Sequence, residues 1–214
     1  MDTLQLAAPS NAFILFNGRD LSNWTARDGG DPGWTVEDGV LQVAPRTGDI
    51  IHTEPLTDFY LHLEFRCPDM PEATGQAKGN SGVFLQALYE IQVLDSSHVN
   101  IPGTGDCGAF YLESAPLVNA CRPAMEWQTY DICFRAPRLD ESGDVSEHAR
   151  ATVLQNGIVI QNNVQISGPT GSASGMTVGT SGPLRLQDHG DRVAYRNIWA
   201  VPLPSKGSDT YEPQ

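Results

Sequence analysis

The chain has 214 residues, enough for one domain with a sizeable core, and its formal net charge at pH 7 is -13. Binding of a nucleic-acid backbone relies on clustered Lys and Arg, so this charge excludes nucleic acid as a partner. No apolar run is long enough to span a bilayer. The 21 Gly and 15 Pro separate short Val, Ile, Leu and aromatic runs without a sustained helical period, which predicts an all-β fold with little helix.

Residues 1–11 are interpreted as an N-terminal extension, 12–203 as a single domain and 204–214 as a flexible tail. The small residues Leu6-Ala7-Ala8-Pro9 are typical of the region near a leader cleavage site. They favour a periplasmic or secreted protein whose leader is absent from this sequence. An intracellular location stays open.

The first half of the domain contains regularly spaced strand signals. A short apolar strand is predicted at 13–16, and strands at 34–36 and 40–43 flank the turn sequence Glu37-Asp38-Gly39 as a hairpin. Strands follow at 49–53 and 60–67, the second alternating apolar residues with His62, Glu64 and Arg66. Two further strands are expected between residues 79 and 95.

The second half begins with a long irregular region at 96–124, and long loops of this kind are usually functional. Within it we predict a Cys107–Cys121 disulfide, whereas Cys67 and Cys133 are interpreted as small buried apolar residues. A strand at 127–136, a hairpin over 151–166 that turns at Asn156-Gly157, and a closing pair at 184–187 and 193–201 complete the domain. About a dozen antiparallel strands indicate a sandwich or jelly roll.

The segment 89–95, Tyr-Glu-Ile-Gln-Val-Leu-Asp, is the most informative part of the chain. Residues two apart on a strand share a face, so Ile91 points into the core while Glu90 and Gln92 point away from it. A β-bulge near residues 93 and 94 would return Asp95 to the Glu90 face. Three functional groups in line would suit sugar chemistry. A solvated strand face shows the same alternation and is the plain alternative.

Other polar residues extend this candidate site. Leu184 to Gly190 has the same alternation, with Arg185, Gln187 and His189 outward, and Asn80 and Glu126 are added from neighbouring strands. Histidine transfers protons near neutral pH, so His189 is a candidate acid or base. Its alternative role is a turn residue that caps Gly190. Glu90, Asp95 and His189 would form a three-ligand metal site if they converge, although no cofactor is predicted from their spacing.

Several segments, in this order along the chain, resemble the 3-keto-disaccharide hydrolase domain family. They are 16–24 (FNGRDLSNW), 79–84 (GNSGVF), 89–95 (YEIQVLD), 126–130 (EWQTY), 156–157 (NG), 186–190 (LQDHG) and 196–198 (RNI). The family is similar to concanavalin A-like lectins and glucanases. The resemblance therefore implies a jelly-roll sandwich of two curved antiparallel sheets with a sugar site on the concave face, and sometimes a structural calcium.

The resemblance also implies an activity, cleavage of 3-keto-glycosides. Laminarinase-type glucanases carry a similar bulged strand with a carboxylate where this chain has Gln92, which argues against a glycosidase with a carboxylate nucleophile. Elimination needs a base, an acid and groups that hold the enolate and the sugar hydroxyls. Glu90, Asp95 and His189 are the candidates for proton transfer, and the candidate binding residues are Asn80, Gln92, Glu126, Arg185 and Gln187.

The ketone implies a separate sugar 3-dehydrogenase acting upstream. This chain has no Gly-x-Gly-x-x-Gly element and is not expected to bind NAD. The alternative function is a non-catalytic carbohydrate-binding module on the same fold. In that case the four tryptophans, Trp24, Trp34, Trp127 and Trp199, are the candidate stacking platforms. A conventional glycosidase acting on unoxidised sugar is the third reading.

Overall fold

A computed structural model of the chain describes residues 2–204. This part of the chain is built from antiparallel strands and two short 3₁₀ helices, at Gly75–Ala77 and Gly171–Ala173. The predicted all-β jelly-roll sandwich is confirmed. No helix within residues 2–204 is long and apolar enough to cross a membrane.

The larger of the two sheets has eight strands. They are β1 (Phe13–Phe16), β3 (Thr35–Glu37), β4 (Val40–Gln42), β6 (Phe59–Arg66), β9 (Gln128–Arg135), β12 (Ala149–Gln155), β13 (Ile158–Ile166) and β15 (Ala194–Pro202). Their order is β13-β12-β9-β6-β15-β4-β3, and β1 also pairs with β15. The predicted hairpin turns are confirmed, because Asp38-Gly39 and Asn156-Gly157 join neighbouring strands with positive φ angles at both positions.

The smaller sheet has five strands and carries the candidate site. They are β2 (Trp24–Ala26), β5 (Ile50–Leu56), β7 (Ser81–Leu85), β8 (Tyr89–Val93) and β14 (Gly182–Leu186), in the order β2-β5-β14-β7-β8. A separate ribbon pairs β10 (Arg138–Leu139) with β11 (Val145–Glu147). Inward-facing side chains of the larger and the smaller sheet are fully buried between the two sheets and form the core, among them Phe65, Ile91, Tyr130 and Leu186.

The segments at 184–187 and 193–201 do not form the predicted closing pair. Strand β14 pairs with β5 and β7, whereas β15 pairs with β1, β4 and β6 in the other sheet. The loop between β14 and β15 therefore crosses from one sheet to the other. Local turn signals cannot distinguish such a crossing from a hairpin, because both need only a short polar connection.

The predicted bulge in β8 is also wrong. Strands β7 and β8 pair in unbroken register, from Ser81 opposite Val93 to Leu85 opposite Tyr89, and β8 ends at Val93. Asp95 lies beyond the strand, where its backbone N–H donates to the Lys78 carbonyl and its carboxylate pairs with the Lys78 ammonium at 3.1 Å. Asp95 is therefore held by a structural ion pair instead of returning to the Glu90 face.

The predicted Cys107–Cys121 disulfide is wrong as well, since all four cysteines are free thiols. The Cys107 and Cys121 thiols are neighbours joined by a hydrogen bond and not by a covalent bond, and the Cys107 sulfur also contacts the Tyr130 hydroxyl at 3.1 Å and the Gln155 amide at 3.4 Å. The loop at 96–124 is fixed instead by burial of Phe110 and by hydrogen bonds to loop carbonyls. Of the two cysteines expected to be buried, Cys67 is buried and Cys133 is exposed.

The N-terminal segment crosses the outer face of the larger sheet and buries a polar cluster. The His62 Nδ1 atom lies 2.7 Å from Asp131 Oδ1, and the Thr3 hydroxyl donates to the other oxygen of Asp131. The backbone N–H of Gln5 donates to Glu64 Oε1 at 2.6 Å. The alternation in β6 therefore does place His62 and Glu64 outward, yet both are buried because this segment covers them.

Candidate functional site

A cleft of about 250 Å³ opens on the outer face of the smaller sheet, at the ends of β8, β7 and β14. Of the eight residues predicted for the site, five line this cleft: Asn80, Glu90, Gln92, Gln187 and His189. The remaining lining residues are Gln76, Gly171 and Ser172 from the two 3₁₀ helices and Tyr111 from the 96–124 loop.

The strand register explains why these side chains meet. Gly82 on β7 lies opposite Gln92 on β8, and the backbone N–H of Gln187 donates to the Gly82 carbonyl at 3.0 Å. The amide side chains of Gln92 and Gln187 therefore flank Gly82, which has no side chain. A Cβ atom at Gly82 would lie 2.6 Å from Glu90 Oε1, so glycine is required to leave room for the carboxyl group.

Glu90 is the chemically distinctive residue of the cleft. Only 2% of its surface is exposed, and its Oε2 atom has no hydrogen-bond partner among the described residues. Burial raises the pKa of Glu90 to about 7, with the Arg185 guanidinium opposing that rise and Asp49 adding to it. Near neutral pH the group is therefore present both as a carboxylic acid and as a carboxylate, as an acid or base catalyst requires.

Arg185 lies beneath the cleft and is not part of its lining. It is 1% exposed, its guanidinium carbon lies 3.5 Å from the centre of the Phe84 ring, and its Nη1 lies 3.5 Å from Asp49. Its Nη2 atom donates to the Ser172 hydroxyl at 3.0 Å, which holds one wall of the cleft. The residue predicted to contact substrate instead supplies positive charge near Glu90 and positions a loop.

The amide side chains form a chain of hydrogen bonds with a defined orientation. The Gln92 Nε2 atom donates to Gln76 Oε1 at 3.0 Å and to Asn80 Oδ1 at 3.4 Å. The Asn80 amide nitrogen donates to the Gln76 carbonyl at 2.7 Å. The Oε1 atoms of Gln92 and Gln187 are left buried and without partners in the described part of the chain. Both are acceptors for hydroxyl groups of a ligand.

His189 lies at the rim of the cleft and is exposed to solvent. Its loop is fixed because the Asp191 carboxylate accepts the Asn80 backbone N–H at 2.8 Å. The Gly190 N–H donates to Asp188 Oδ1 at 2.9 Å, so Asp188 fills the capping role considered for the histidine. The imidazole makes no hydrogen bond to another side chain or backbone group within residues 2–204 and is open to solvent.

The other predicted acids lie elsewhere. Asp95 pairs with Lys78, as described, and Glu126 is exposed in the bend before β9. Neither is in the lining of the cleft. The proposed metal ligands Glu90, Asp95 and His189 therefore do not converge, and residues 2–204 contain no group of three His, Cys, Asp or Glu placed to hold a metal ion.

Sequence reasoning missed four lining residues, all of them in connections between strands. Gly171 is the most constrained of them, because its φ angle is +55° and a Cβ atom there would overlap Glu90 Oε2. It belongs to the Gly- and Ser-rich segment after β13, where composition indicates a loop without indicating its destination. Tyr111 lies in the long 96–124 loop, for which a functional role was expected but no residue was singled out.

The tryptophans do not form a stacking platform. Trp24, Trp34 and Trp199 are buried, and the indole N–H groups of Trp24 and Trp34 donate to backbone carbonyls. Trp127 is partly exposed, but its ring contacts the guanidinium groups of Arg66 and Arg196 on the larger sheet. No tryptophan of the described chain lines the cleft. The feature that motivated a binding-module reading is therefore missing from this site.

The comparisons with known proteins place this all-β sandwich with its amide-lined cleft among the carbohydrate-active jelly-roll proteins. The sequence model of the 3-keto-alpha-glucoside-1,2-lyase-like domain matches residues 12–201. The chain belongs to this family, as its motifs indicated. No curated protein sequence is matched.

Solved structures support the same class. A candidate glycosyl hydrolase from Parabacteroides distasonis ATCC 8503 is 41% identical with a TM-score of 0.85, and the match covers 92% of this chain and 85% of that one. A second candidate glycosyl hydrolase from the same organism is 22% identical with a TM-score of 0.66, covering 91% and 94%. A protein of unknown function with a galectin-like fold from Bacillus subtilis, 12% identical with a TM-score of 0.51 over 91% and 96%, is similar in fold.

Proposed function

We propose that this protein cleaves glycosides whose sugar carries a ketone at carbon 3, by elimination across carbons 1 and 2 followed by hydration. One observation carries the proposal: among the described residues that line the cleft, Glu90 is the only carboxyl group, and burial brings its pKa to about 7. A histidine and several amides surround it. This set can transfer protons and bind hydroxyl groups without a second carboxylate.

The proposed reaction begins with removal of the acidic hydrogen on carbon 2. His189, exposed and unpaired in the described structure, takes this proton, and the electron pair delocalises onto the ketone oxygen as an enolate. The enolate then re-forms the ketone and a carbon 1–carbon 2 double bond, while the bond from carbon 1 to the leaving oxygen breaks. Glu90 in its acid form gives that oxygen its proton. Addition of water, OH to carbon 1 and H to carbon 2, completes a net hydrolysis.

The amides bind the sugar ring in this scheme. The Gln92 nitrogen is already committed to Gln76 and Asn80, so its free oxygen accepts a sugar hydroxyl. The Gln187 Oε1 atom has no hydrogen-bond partner within the described chain, and the nitrogen of the same side-chain amide is the candidate donor to the enolate oxygen. Asn80 holds Gln76 and Gln92 in place and is a positioning residue.

A glycosidase acting on unoxidised sugar suits the cleft less well. Retaining enzymes place two carboxyl groups about 5–5.5 Å apart and inverting enzymes about 6.5–9.5 Å apart across the scissile bond. Here the second acid expected from the sequence, Asp95, is paired with Lys78 instead.

The substrate implies a supplying reaction, and the N-terminal residues motivate a location. A ketone at carbon 3 must come from a dehydrogenase acting on the intact glycoside, which is the partner proposed here.

A periplasmic or secreted location is proposed on the residues at 6–9 alone, because the free thiols remove the support expected from a disulfide. Fractionation of cells that produce the native protein tests the location, and recovery in the cytoplasm would contradict it.

The activity is tested with paired substrates. The protein is incubated with 3-keto-trehalose or a 3-keto aryl glucoside beside the unoxidised parent sugar, and release of the leaving group is followed. We expect release from the keto form alone. Release from both forms would indicate a conventional glycosidase, and binding without release a binding module.

Isotopes then test elimination. In heavy water, deuterium is expected at carbon 2 of the recovered sugar, and substrate deuterated at carbon 2 is expected to react more slowly when chemistry limits the rate. Normal turnover with complete retention of the carbon 2 hydrogen would contradict the mechanism.

A further inference from the structure

A second cleft, of about 360 Å³, adjoins the first on the outer face of the molecule. The two clefts share Tyr111 and Gly171 in their linings. Gly171 has no side chain to separate them, and a Cβ atom at this position would overlap Glu90 Oε2. The unpaired oxygen of Glu90 is therefore next to the residue at which the two clefts meet.

Both walls of the second cleft are bonded to the backbone of Glu90. The backbone N–H of Glu90 donates to the Thr170 hydroxyl at 2.8 Å, and the backbone N–H of Tyr111 donates to the Glu90 carbonyl at 3.1 Å. Thr170 and Tyr111 line the second cleft. Thr170 and Tyr111 therefore hold Glu90 where the two clefts meet. A bond that Glu90 protonates would lie between the clefts.

The second cleft differs from the first in chemistry. Leu112, which is 70% exposed, and Pro169 give it an apolar rim, whereas four amide side chains line the first cleft. Its one carboxyl group, Glu113, accepts the backbone N–H of Ser167 and carries no cation among the described residues. A neutral group with a flat apolar face fits this combination, whereas an anionic group would be repelled.

We propose that the second cleft binds the leaving group of the substrate, a neutral ring with a flat apolar face, while the 3-keto sugar occupies the first. A second pyranose and an aromatic aglycone share this chemistry. The inference rests on the proposed function and adds to it the substrate class: glycosides with a ring-bearing aglycone, in preference to simple alkyl glycosides. The proton from Glu90 then reaches the glycosidic oxygen between the clefts.

The test compares kcat/KM for 3-keto glucosides of methanol and benzyl alcohol, whose leaving oxygens have similar acidity, and for a 3-keto disaccharide. Burial of one ring face predicts a preference for benzyl over methyl of roughly tenfold or more. A 4-carboxybenzyl glucoside is expected to lose this preference. A matching preference for the disaccharide identifies a second sugar as the occupant, and its absence identifies an aryl group.

Two variants of the second cleft and one control make the test specific. Leu112→Asn removes the apolar side chain at a left-handed position that Asn tolerates, φ being +61°, and Ser174→Trp fills the cleft. Both are expected to reduce the benzyl preference to about twofold or less, the loss that removal of one apolar contact surface predicts, because kcat/KM falls more for the benzyl than for the methyl substrate. Leu117→Asn, also exposed but outside either lining, is the control and is expected to preserve the preference.

Three results would overturn the assignment. Equal kcat/KM for methyl, benzyl and disaccharide substrates would show that the leaving group has no site. A preference that survives both Leu112→Asn and Ser174→Trp would place that site elsewhere. Either result leaves the proposed function standing, whereas inactivity toward every 3-keto glycoside would overturn the proposed function and this assignment together.

Discussion

Replacing Glu90 with Gln separates what the buried carboxyl group costs the fold from what it contributes to catalysis. The folded protein raises the pKa of Glu90 from its ordinary value of 4.5 to about 7. Between these values the folded state holds the proton more tightly than the unfolded state, so stability falls as the pH rises. A shift of one pKa unit corresponds to about 1.4 kcal/mol of free energy. The shift from 4.5 to about 7 therefore means that the ionised carboxylate lowers the free energy of unfolding by about 3 kcal/mol above pH 7.

The amide of Glu90→Gln has nearly the same shape and never ionises. We expect the variant to be more stable than the parent protein by about 2–4 kcal/mol at pH 8 and equally stable near pH 4.5. For a domain of this size the difference at pH 8 corresponds to a rise in Tm of roughly 7 °C. Denaturant unfolding of both proteins at several pH values measures the difference, in which the contributions of all other titrating groups cancel.

Activity is expected to change in the opposite direction. If Glu90 protonates the leaving oxygen, Glu90→Gln loses turnover on a methyl 3-keto glucoside by on the order of 10²-fold or more. The loss is smaller for a 4-nitrophenyl leaving group, which departs without a proton. A stability difference that does not vary with pH would refute the assigned titration. Unchanged turnover on the methyl glycoside would refute the role as an acid.

The other predictions concern residues that touch or support the two faces of the sandwich. His189→Ala is expected to lower turnover by on the order of 10²-fold and to slow deuterium exchange at carbon 2, measured by NMR, whereas unchanged exchange would assign the base elsewhere. Gly171→Ala is expected to impair activity as severely as loss of Glu90. The control is Gly175→Ala, because Gly175 also has a positive φ but has open space around it. This control is expected to lower the free energy of unfolding by only about 1 kcal/mol and to leave activity intact. Gln5→Pro removes the N–H bonded to Glu64 and cannot adopt the φ of +60°, so we expect the free energy of unfolding in urea to fall by about 1–3 kcal/mol. The control Gln5→Gly keeps the N–H and the φ angle and is expected to change stability little.

The parts of the site that the sequence predicts are those set by strand period and neighbouring strands. Glu90 and Gln92 are two residues apart on one strand, and the alternation that buries Ile91 must present both on the opposite face. Asn80 and Gln187 reach the same face from segments that carry the same pattern. Local rules suffice here because the side-chain direction in a strand is fixed by its backbone.

The failures come from choices that local pattern leaves undecided. The bulge was inferred to bring Asp95 into line, but a regular strand end followed by a Lys78 ion pair satisfies the same residues. Gly171 reaches Glu90 only because the loop after β13 folds back over β8, and no periodicity encodes that contact. Burial of the outward-facing His62 likewise depends on a segment almost sixty residues earlier in the chain.

Hydrogen-bond satisfaction distinguishes the two polar faces of the sandwich. On the larger sheet, the buried carboxylates of Glu64 and Asp131 receive donors from the N-terminal segment, although the nearby Trp199 Nε1 stays without a partner in the described chain. On the smaller sheet, Glu90, Gln92 and Gln187 each keep a buried oxygen without a partner in the described chain. An unsatisfied buried polar group costs about 1–3 kcal/mol, and three in one cleft are a cost that folding alone does not explain. A ligand rich in hydroxyl groups would supply the missing donors, so the substrate of the proposed reaction is expected to bind on the smaller sheet.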